Sequence, residues 1–294
     1  MNRWLLGARV RTLPAAVVPV VVGTCAAVGG RPVADMRWGN AIAAMIVALS
    51  LQVATNLAND YSDGVRGTDD PGSRVGPPRL VGSGMARPGE VKRAMLLAFG
   101  AALIAGSVLV VTVGWELIPV GLASVAAGWF YTGGPRPYGY AGMGEVFVFV
   151  FFGLVATVGS AYVQLETITW LSVGCGVMIG SFATALLVVN NLRDIPGDTL
   201  SGKRTLAVRM GDRRTRLLYG ALMAVPYLVL PFVAGLSGRP AAALAYAAIA
   251  VTTKPLLAVL SGASGAALIP VLGQTSRAEL VFGALCSVGL LFVV

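Results

Sequence analysis

Nine apolar runs succeed one another along the chain, at about residues 12–30, 40–59, 93–113, 115–131, 145–164, 168–191, 216–235, 240–254 and 277–294. Most approach the roughly 20 residues that a helix needs to cross the hydrocarbon core of a bilayer. A segment in lipid has no water to satisfy its backbone, so only helices and closed barrels are open to it. No alternation of apolar and polar residues at period two runs through these segments. The expected fold is therefore all-α: one domain over residues 1–294, a polytopic membrane bundle of about nine transmembrane helices. Pro255 interrupts the eighth run, and residues 256–275 mix Gly, Pro and apolar side chains. That pattern is expected of a segment lying in the interface. Charged residues make up 12% of the chain, about half the roughly 25% usual in soluble proteins.

Basic residues give the expected orientation. With the N-terminus in the cytoplasm and alternating spans, 19 of the 22 Lys and Arg fall on the inner side, leaving Arg31, Arg37 and Arg239 outside. This is the positive-inside asymmetry of an inner or plasma membrane protein. Arg3, Arg9 and Arg11 precede the first run, which leads into further spans and so reads as retained rather than cleaved. The net charge of +9 is then mostly topology. Its carriers sit in short loops rather than on one groove-sized face, which argues against a nucleic-acid partner and for a lipid bilayer and anionic substrates.

Cys25, Cys175 and Cys286 lie far apart, each inside an apolar run, without metal or disulfide spacing; they read as small packing residues. The chain has no histidine, so the usual general base and zinc ligand are both missing. A metal held here is a hard cation on oxygen ligands, with Mg²⁺-like chemistry.

Two acidic clusters each follow directly on a spanning run. NLANDYSDGVRGTDD holds Asn56, Asn59, Asp60, Asp63, Asp69 and Asp70, and NNLRDIPGDTLSGKRTLA holds Asn190, Asn191, Asp194, Asp198, Lys203 and Arg204. Carboxylates at a membrane edge are costly and mark function. If the second helix runs on, Asn56/Asp60 and Asn59/Asp63 are i,i+4 pairs on one face, at a helix C-terminus whose partial negative charge disfavours bare carboxylates and favours a bridging cation. Gly64 and Gly67 are expected to turn the chain sharply and return Asp69 toward that cation. Asn190/Asp194 and Asp194/Asp198 repeat the i,i+4 plan, although Pro196 and Gly197 are expected to break regular helix between them. Acids cannot hold a diphosphate directly, but they can hold Mg²⁺, whose remaining positions take phosphate oxygens, while neighbouring Lys and Arg neutralise the rest.

A cation-coupled transporter also uses membrane acids, usually near the bilayer midplane, whereas these sit at helix ends beside basic residues. Membrane phosphatidyl-alcohol transferases use D-x-x-D-G-x-x-A-R; Asp60, Asp63 and Gly64 match, but Gly67 and Thr68 stand where Ala and Arg belong.

N-D-x-x-D at Asn59–Asp63 with D-x-x-x-D at Asp194–Asp198 resembles the UbiA superfamily of intramembrane aromatic prenyltransferases. Three stretches, NLANDYSDGVRGTD, YTGGPRPYGYAGMGEVFVFVFFG from Tyr131, and NNLRDIPGDTLSGKRTLAVRMG from Asn190, are similar to its branch acting on 1,4-dihydroxy-2-naphthoate in menaquinone synthesis. The resemblance implies a helical bundle around a central cavity open sideways to lipid, with Mg²⁺ as cofactor and polyprenyl diphosphate and dihydroxynaphthoate as substrates. By matching positions, Asp60, Asp63 and Asp69 would serve one metal site and Asp194 and Asp198 the other. Asn56, Asn59, Asn190 and Asn191 would support them, and Lys203, Arg204 and Arg66 would face the diphosphate. Either Asp69 or Asp198 is a candidate to assist the phenol. Tyr131, Arg136, Tyr138 and Tyr140, in a loop turned by Gly133, Gly134 and Pro135, are read either as substrate contacts or as interfacial anchors. The rival acceptors are 4-hydroxybenzoate, haem and a sugar phosphate, against which the YTGGPRP loop speaks.

Overall fold

The computed structural model describes residues 2–67 and 78–293, and every regular element among them is helical. In order these are α1 (Arg3–Ala8), α2 (Pro14–Val28), α3 (Trp38–Val65), α4 (Pro88–Thr112), α5 (Leu117–Phe130), α6 (Gly144–Val148), α7 (Ala156–Leu165), α8 (Trp170–Leu200), α9 (Leu206–Leu236), α10 (Ile249–Leu260) and α11 (Leu268–Leu290). A π-helical stretch, Phe149–Val155, joins α6 to α7 into one rod, and a 3₁₀ stretch, Pro240–Ala248, leads into α10. Each of the nine apolar runs becomes helix. Among the described residues six helices are long and apolar enough to cross a membrane, or seven if Arg3–Thr12 and Pro14–Val28, bent by 49°, are one span. Leu117–Phe130 is short, at 14 residues, and Gln274, Arg277 and Glu279 reduce the apolarity of α11.

Prolines break less helix than expected. Pro255 lies inside α10, which continues to Leu260, and α11 starts at Leu268, so most of residues 256–275 is helical. Pro196 lies inside α8, which runs unbroken to Leu200. An apolar environment makes leaving the helix dearer than losing the one N–H bond that proline removes. The real interruption is Gly211 (φ 75°, ψ 170°), which separates the first turns of α9 from its long apolar part.

Close approaches fix the bundle. A side-chain carbon at Gly153 would collide with Gly180, and one at Gly180 would collide with Gly153, so the π-helical stretch and α8 cross backbone to backbone, as small residues permit in membranes. Phe182, Tyr227 and Phe282 meet in edge-on and tilted contacts where α8, α9 and α11 come together. The three cysteines, remote in sequence, pack into this one core, and all three are free.

Arg239 closes the end of the bundle away from the acidic clusters. Its guanidinium donates to the carbonyls of Ala26 (2.8 Å), Leu290 (3.0 Å), Gly29 (3.2 Å) and Cys25 (3.3 Å). Ala26, Gly29 and Leu290 stand at the C-terminal ends of α2 and α11, where carbonyls run out of intrahelical partners; the Cys25 carbonyl also accepts the Gly29 N–H. Arg239→Ala is expected to cost about 3 kcal/mol, the scale of losing buried hydrogen bonds to a charged group. A lowered melting temperature in detergent, only partly recovered by Arg239→Lys, would show it; an unchanged one would remove Arg239 from the fold's essential contacts.

Candidate active site

Helix α3 continues to Val65, so the expected single face forms: Asn56, Asn59, Asp60 and Asp63 all line one cavity. Helix α8 delivers Asn190, Asn191, Asp194 and Asp198 to the same cavity, whose volume is about 1840 Å³. Lys203, Tyr131, Tyr138 and Tyr140 also line it. Two clusters about 130 positions apart in sequence therefore meet at one end of the bundle.

The carboxylates differ in what holds them. Asp63 is buried; its Oδ1 accepts the Tyr140 hydroxyl and Lys203 Nζ, the latter at 3.3 Å. Lys203 reaches it because its own N–H bonds the Asp198 carbonyl at 2.8 Å, in a turn that Gly202 (φ 73°) allows. Asp60, also buried, accepts the backbone N–H groups of Leu80 (2.8 Å) and Val81 (2.9 Å), tying down the segment that follows the first cluster. Gly64 remains helical rather than starting the turn and leaves room for the Val81 side chain; Gly67 (φ 70°) makes the turn. Asp69 lies outside the described residues. Asp194 is gripped by Arg193, Nε to Oδ1 at 2.7 Å and Nη2 to Oδ2 at 2.6 Å. The Thr205 hydroxyl donates to Asp198 at 3.5 Å.

The asparagines orient this frame. Asn56 donates to the Ala8 carbonyl (3.0 Å) and Thr12 Oγ1 (3.1 Å), Asn59 accepts from the Thr132 hydroxyl (2.8 Å), and Asn190 accepts from Arg193 (3.0 Å). Asn191 donates to Glu145 at 2.9 Å.

The loop at residues 131–143 folds over the acidic end. Arg66 donates to the carbonyls of Thr132 and Gly134, so it fastens this loop and does not line the cavity. Its guanidinium and the Lys203 ammonium both face the Tyr140 ring, at 5.5 and 4.6 Å. The Tyr138 hydroxyl donates to the Ala127 carbonyl at 2.8 Å, and burial pushes this phenol above its ordinary pKa, keeping it neutral. Arg136 and Arg204 are exposed and off the cavity wall; the Arg204 backbone N–H bonds the Tyr140 carbonyl at 2.9 Å.

Sequence reasoning missed Arg193, Glu145, Arg9 and Arg79. Arg9 and Arg79 line the cavity, while Arg193 and Glu145 are buried partners of its acidic and amide groups. Only Arg193 carried a signal, its place inside the second acidic motif.

The donor set is carboxylate and carboxamide oxygen. Among the described residues no three acidic or thiol groups stand close enough to enclose a metal by themselves. Oxygen atoms from a ligand would complete the shell of a cation held by these side chains, which is how Mg²⁺ binds phosphates. The site fits that ion in partnership with a diphosphate.

The comparisons agree with this geometry. The model of the "UbiA prenyltransferase family" matches residues 16–267. A 1,4-dihydroxy-2-naphthoate octaprenyltransferase from Mycobacterium tuberculosis is 46% identical over 280 residues, covering 95% of this chain and 94% of the relative. The fold resembles the apo structure of a UbiA homolog from Aeropyrum pernix K1 (TM-score 0.72, 14% identity, 94% and 97% covered). It also resembles a UbiA homolog from Archaeoglobus fulgidus bound to DMAPP and Mg²⁺ (TM-score 0.62, 14% identity, 98% and 100% covered). With the family model spanning most of its length and its two acidic motifs facing one cavity, this chain belongs to the UbiA prenyltransferase family.

Proposed function

We propose that the protein transfers a polyprenyl group from polyprenyl diphosphate to 1,4-dihydroxy-2-naphthoate, with loss of CO₂, giving demethylmenaquinol, the reduced form of demethylmenaquinone. The observation that carries this reading is the convergence of Asp63 and Asp194 on one cavity beside Lys203, Arg193 and Tyr140. The Mycobacterium tuberculosis relative, named for this acceptor, supports the choice of naphthoate, and the Archaeoglobus fulgidus homolog bound to DMAPP and Mg²⁺ supports the choice of donor and ion. The same reading places the acidic end at the cytoplasmic face of a bacterial cell membrane, where 19 of the 22 basic residues fall.

Asp60, Asp63, Asp194 and Asp198, with Asp69, would hold Mg²⁺ against the diphosphate. Bound there, the ion supplies Lewis-acid stabilisation of the departing diphosphate. Lys203 places a second positive charge where charge develops on that leaving group, and Asp63 holds the ammonium in place until substrate arrives. As the allylic C–O bond breaks, its electron pair leaves with the diphosphate. The ring carbon bearing the carboxylate forms the new C–C bond, and departure of CO₂ returns its bonding electrons to the ring. A dihydroxylated ring is nucleophilic enough to need little help from a base, consistent with a chain that lacks histidine. The largely apolar cavity wall excludes water that would capture the allylic cation.

Purified protein given dihydroxynaphthoate and labelled polyprenyl diphosphate should release diphosphate and yield a labelled lipophilic quinol. Product with 4-hydroxybenzoate but not dihydroxynaphthoate would overturn the acceptor assignment. Substrate uptake into vesicles without diphosphate release would overturn the enzyme reading in favour of a carrier.

A further inference from the structure

Glu145 is a buried acid for which the transfer chemistry above has no use. It stands in the first turn of α6 and does not line the cavity. Its Oε1 accepts Asn191 Nδ2 at 2.9 Å. Its Oε2 is buried and finds no hydrogen-bond partner among the described residues. Burying a carboxyl group with one oxygen unpaired is costly, and such a group in a native fold calls for a reason.

The two neighbouring asparagines of the second motif are employed differently. Asn190 bonds Asp194 and Arg193 and so belongs to the acidic end. Asn191 points about 100° away around α8, and among the described residues its side chain bonds Glu145 alone. With Nδ2 directed behind the cavity wall, Oδ1 is the end of the amide left for the cavity, which Asn191 lines. Seven residues make nearly two full turns, so Asn191 lies almost in line with Asp198 on α8 and about 10 Å farther from the acidic end. The diphosphate occupies the Asp194–Asp198 level. The reacting carbons lie beyond it, on the side away from the metal, which brings the acceptor ring to the level of Asn191.

We infer that Asn191 Oδ1 accepts a hydrogen bond from the ring hydroxyl beside the reacting carbon, and that Glu145 is the positioning residue that turns this oxygen toward the ring. The inference rests on the prenyl-transfer reading above. As the new C–C bond forms, the ring gives up electron density and that hydroxyl becomes more acidic. Its hydrogen bond is therefore stronger in the transition state than in the ground state, as catalysis requires. An amide that gives its N–H to a carboxyl oxygen is also a better acceptor at its own oxygen. The hydroxyl keeps its proton, because departing CO₂ returns its bonding electrons to the ring. Without Glu145 the amide is free to rotate and present N–H groups to a hydroxyl that needs an acceptor.

The test is a calorimetric titration of protein loaded with Mg²⁺ and a non-hydrolysable prenyl thiolodiphosphate. It compares 1,4-dihydroxy-2-naphthoate with 4-hydroxy-2-naphthoate, which lacks the hydroxyl in question. Wild-type protein should bind the first roughly fivefold or more tightly, the scale of one hydrogen bond in a buried site. Asn191→Leu and Glu145→Leu should each bring that preference close to one. Glu145→Gln, whose amide oxygen can still accept Asn191 Nδ2, should keep most of it, which a loss of packing alone would not predict. All four proteins should bind the thiolodiphosphate equally well, and this binding shows that the variants fold. Equal affinity of wild-type protein for both naphthoates, an unchanged preference in Glu145→Leu, or loss of it in Glu145→Gln would overturn the inference. So would a matching fall in thiolodiphosphate affinity, which would assign the Glu145–Asn191 pair to the metal end. If wild-type protein binds the thiolodiphosphate but neither naphthoate, the acceptor assignment of the proposed function fails, and this contact fails with it.

Discussion

Asp63→Ala is expected to lower kcat by roughly 10³-fold, comparable to the largest single losses seen when charge stabilisation at a developing anion is removed. The protein should nevertheless stay folded. Asp63 bonds the Tyr140 hydroxyl and the Lys203 ammonium, groups that belong to the site. Asp60 lies three residues earlier and gives the contrast. Its carboxylate ties down the backbone of Leu80 and Val81, so Asp60→Ala should also lower the melting temperature, because two buried N–H groups lose their acceptor. The discriminating measurement is turnover and thermal stability on both variants. Asp63→Ala activity within tenfold of wild type would remove this carboxylate from the reaction.

That contrast marks the limit of what the sequence made legible. Spacing put Asp60 and Asp63 on one helical face, and α3 does carry both to the cavity. Spacing is silent on division of labour, which depends on where residues 79–81 return in space. The same limit explains Arg193. As part of a basic run it reads as topology, yet its side chain is buried and clamps Asp194. Arg66 shows the reverse: the resemblance puts it at the diphosphate, and the structure has it on the carbonyls of Thr132 and Gly134. Hydropathy located the helices well because lipid leaves a backbone no alternative. It misplaced the breaks at Pro196 and Pro255 because the penalties attached to proline are calibrated in water. The π-helical turn left no composition signal. The backbone shows it at Phe149–Val155, packed on α8 where Gly153 meets Gly180.

Chelation of Mg²⁺ is expected to abolish turnover, a loss of at least roughly 10³-fold, and added Mg²⁺ should restore it. The sharper form of this expectation concerns binding order. Because a divalent ion held by a few carboxylates keeps positions open for other oxygens, and Lys203 and Arg193 already neutralise Asp63 and Asp194, the free protein should bind Mg²⁺ weakly. A diphosphate changes both terms: it adds phosphate oxygens to the ion's shell and gives Lys203 and Arg193 a second anion to share. Mg²⁺ and diphosphate should therefore raise each other's affinity, and by the same factor, since coupling between two binding free energies is reciprocal. Calorimetric titration of Mg²⁺ with and without a non-hydrolysable prenyl thiolodiphosphate measures one arm, and titration of the analogue with and without Mg²⁺ measures the other. Tight Mg²⁺ binding to the free protein would mean that the carboxylates close on the ion themselves. The convergence of Asp63 and Asp194 would then be a preformed metal centre rather than half of a site that the substrate completes.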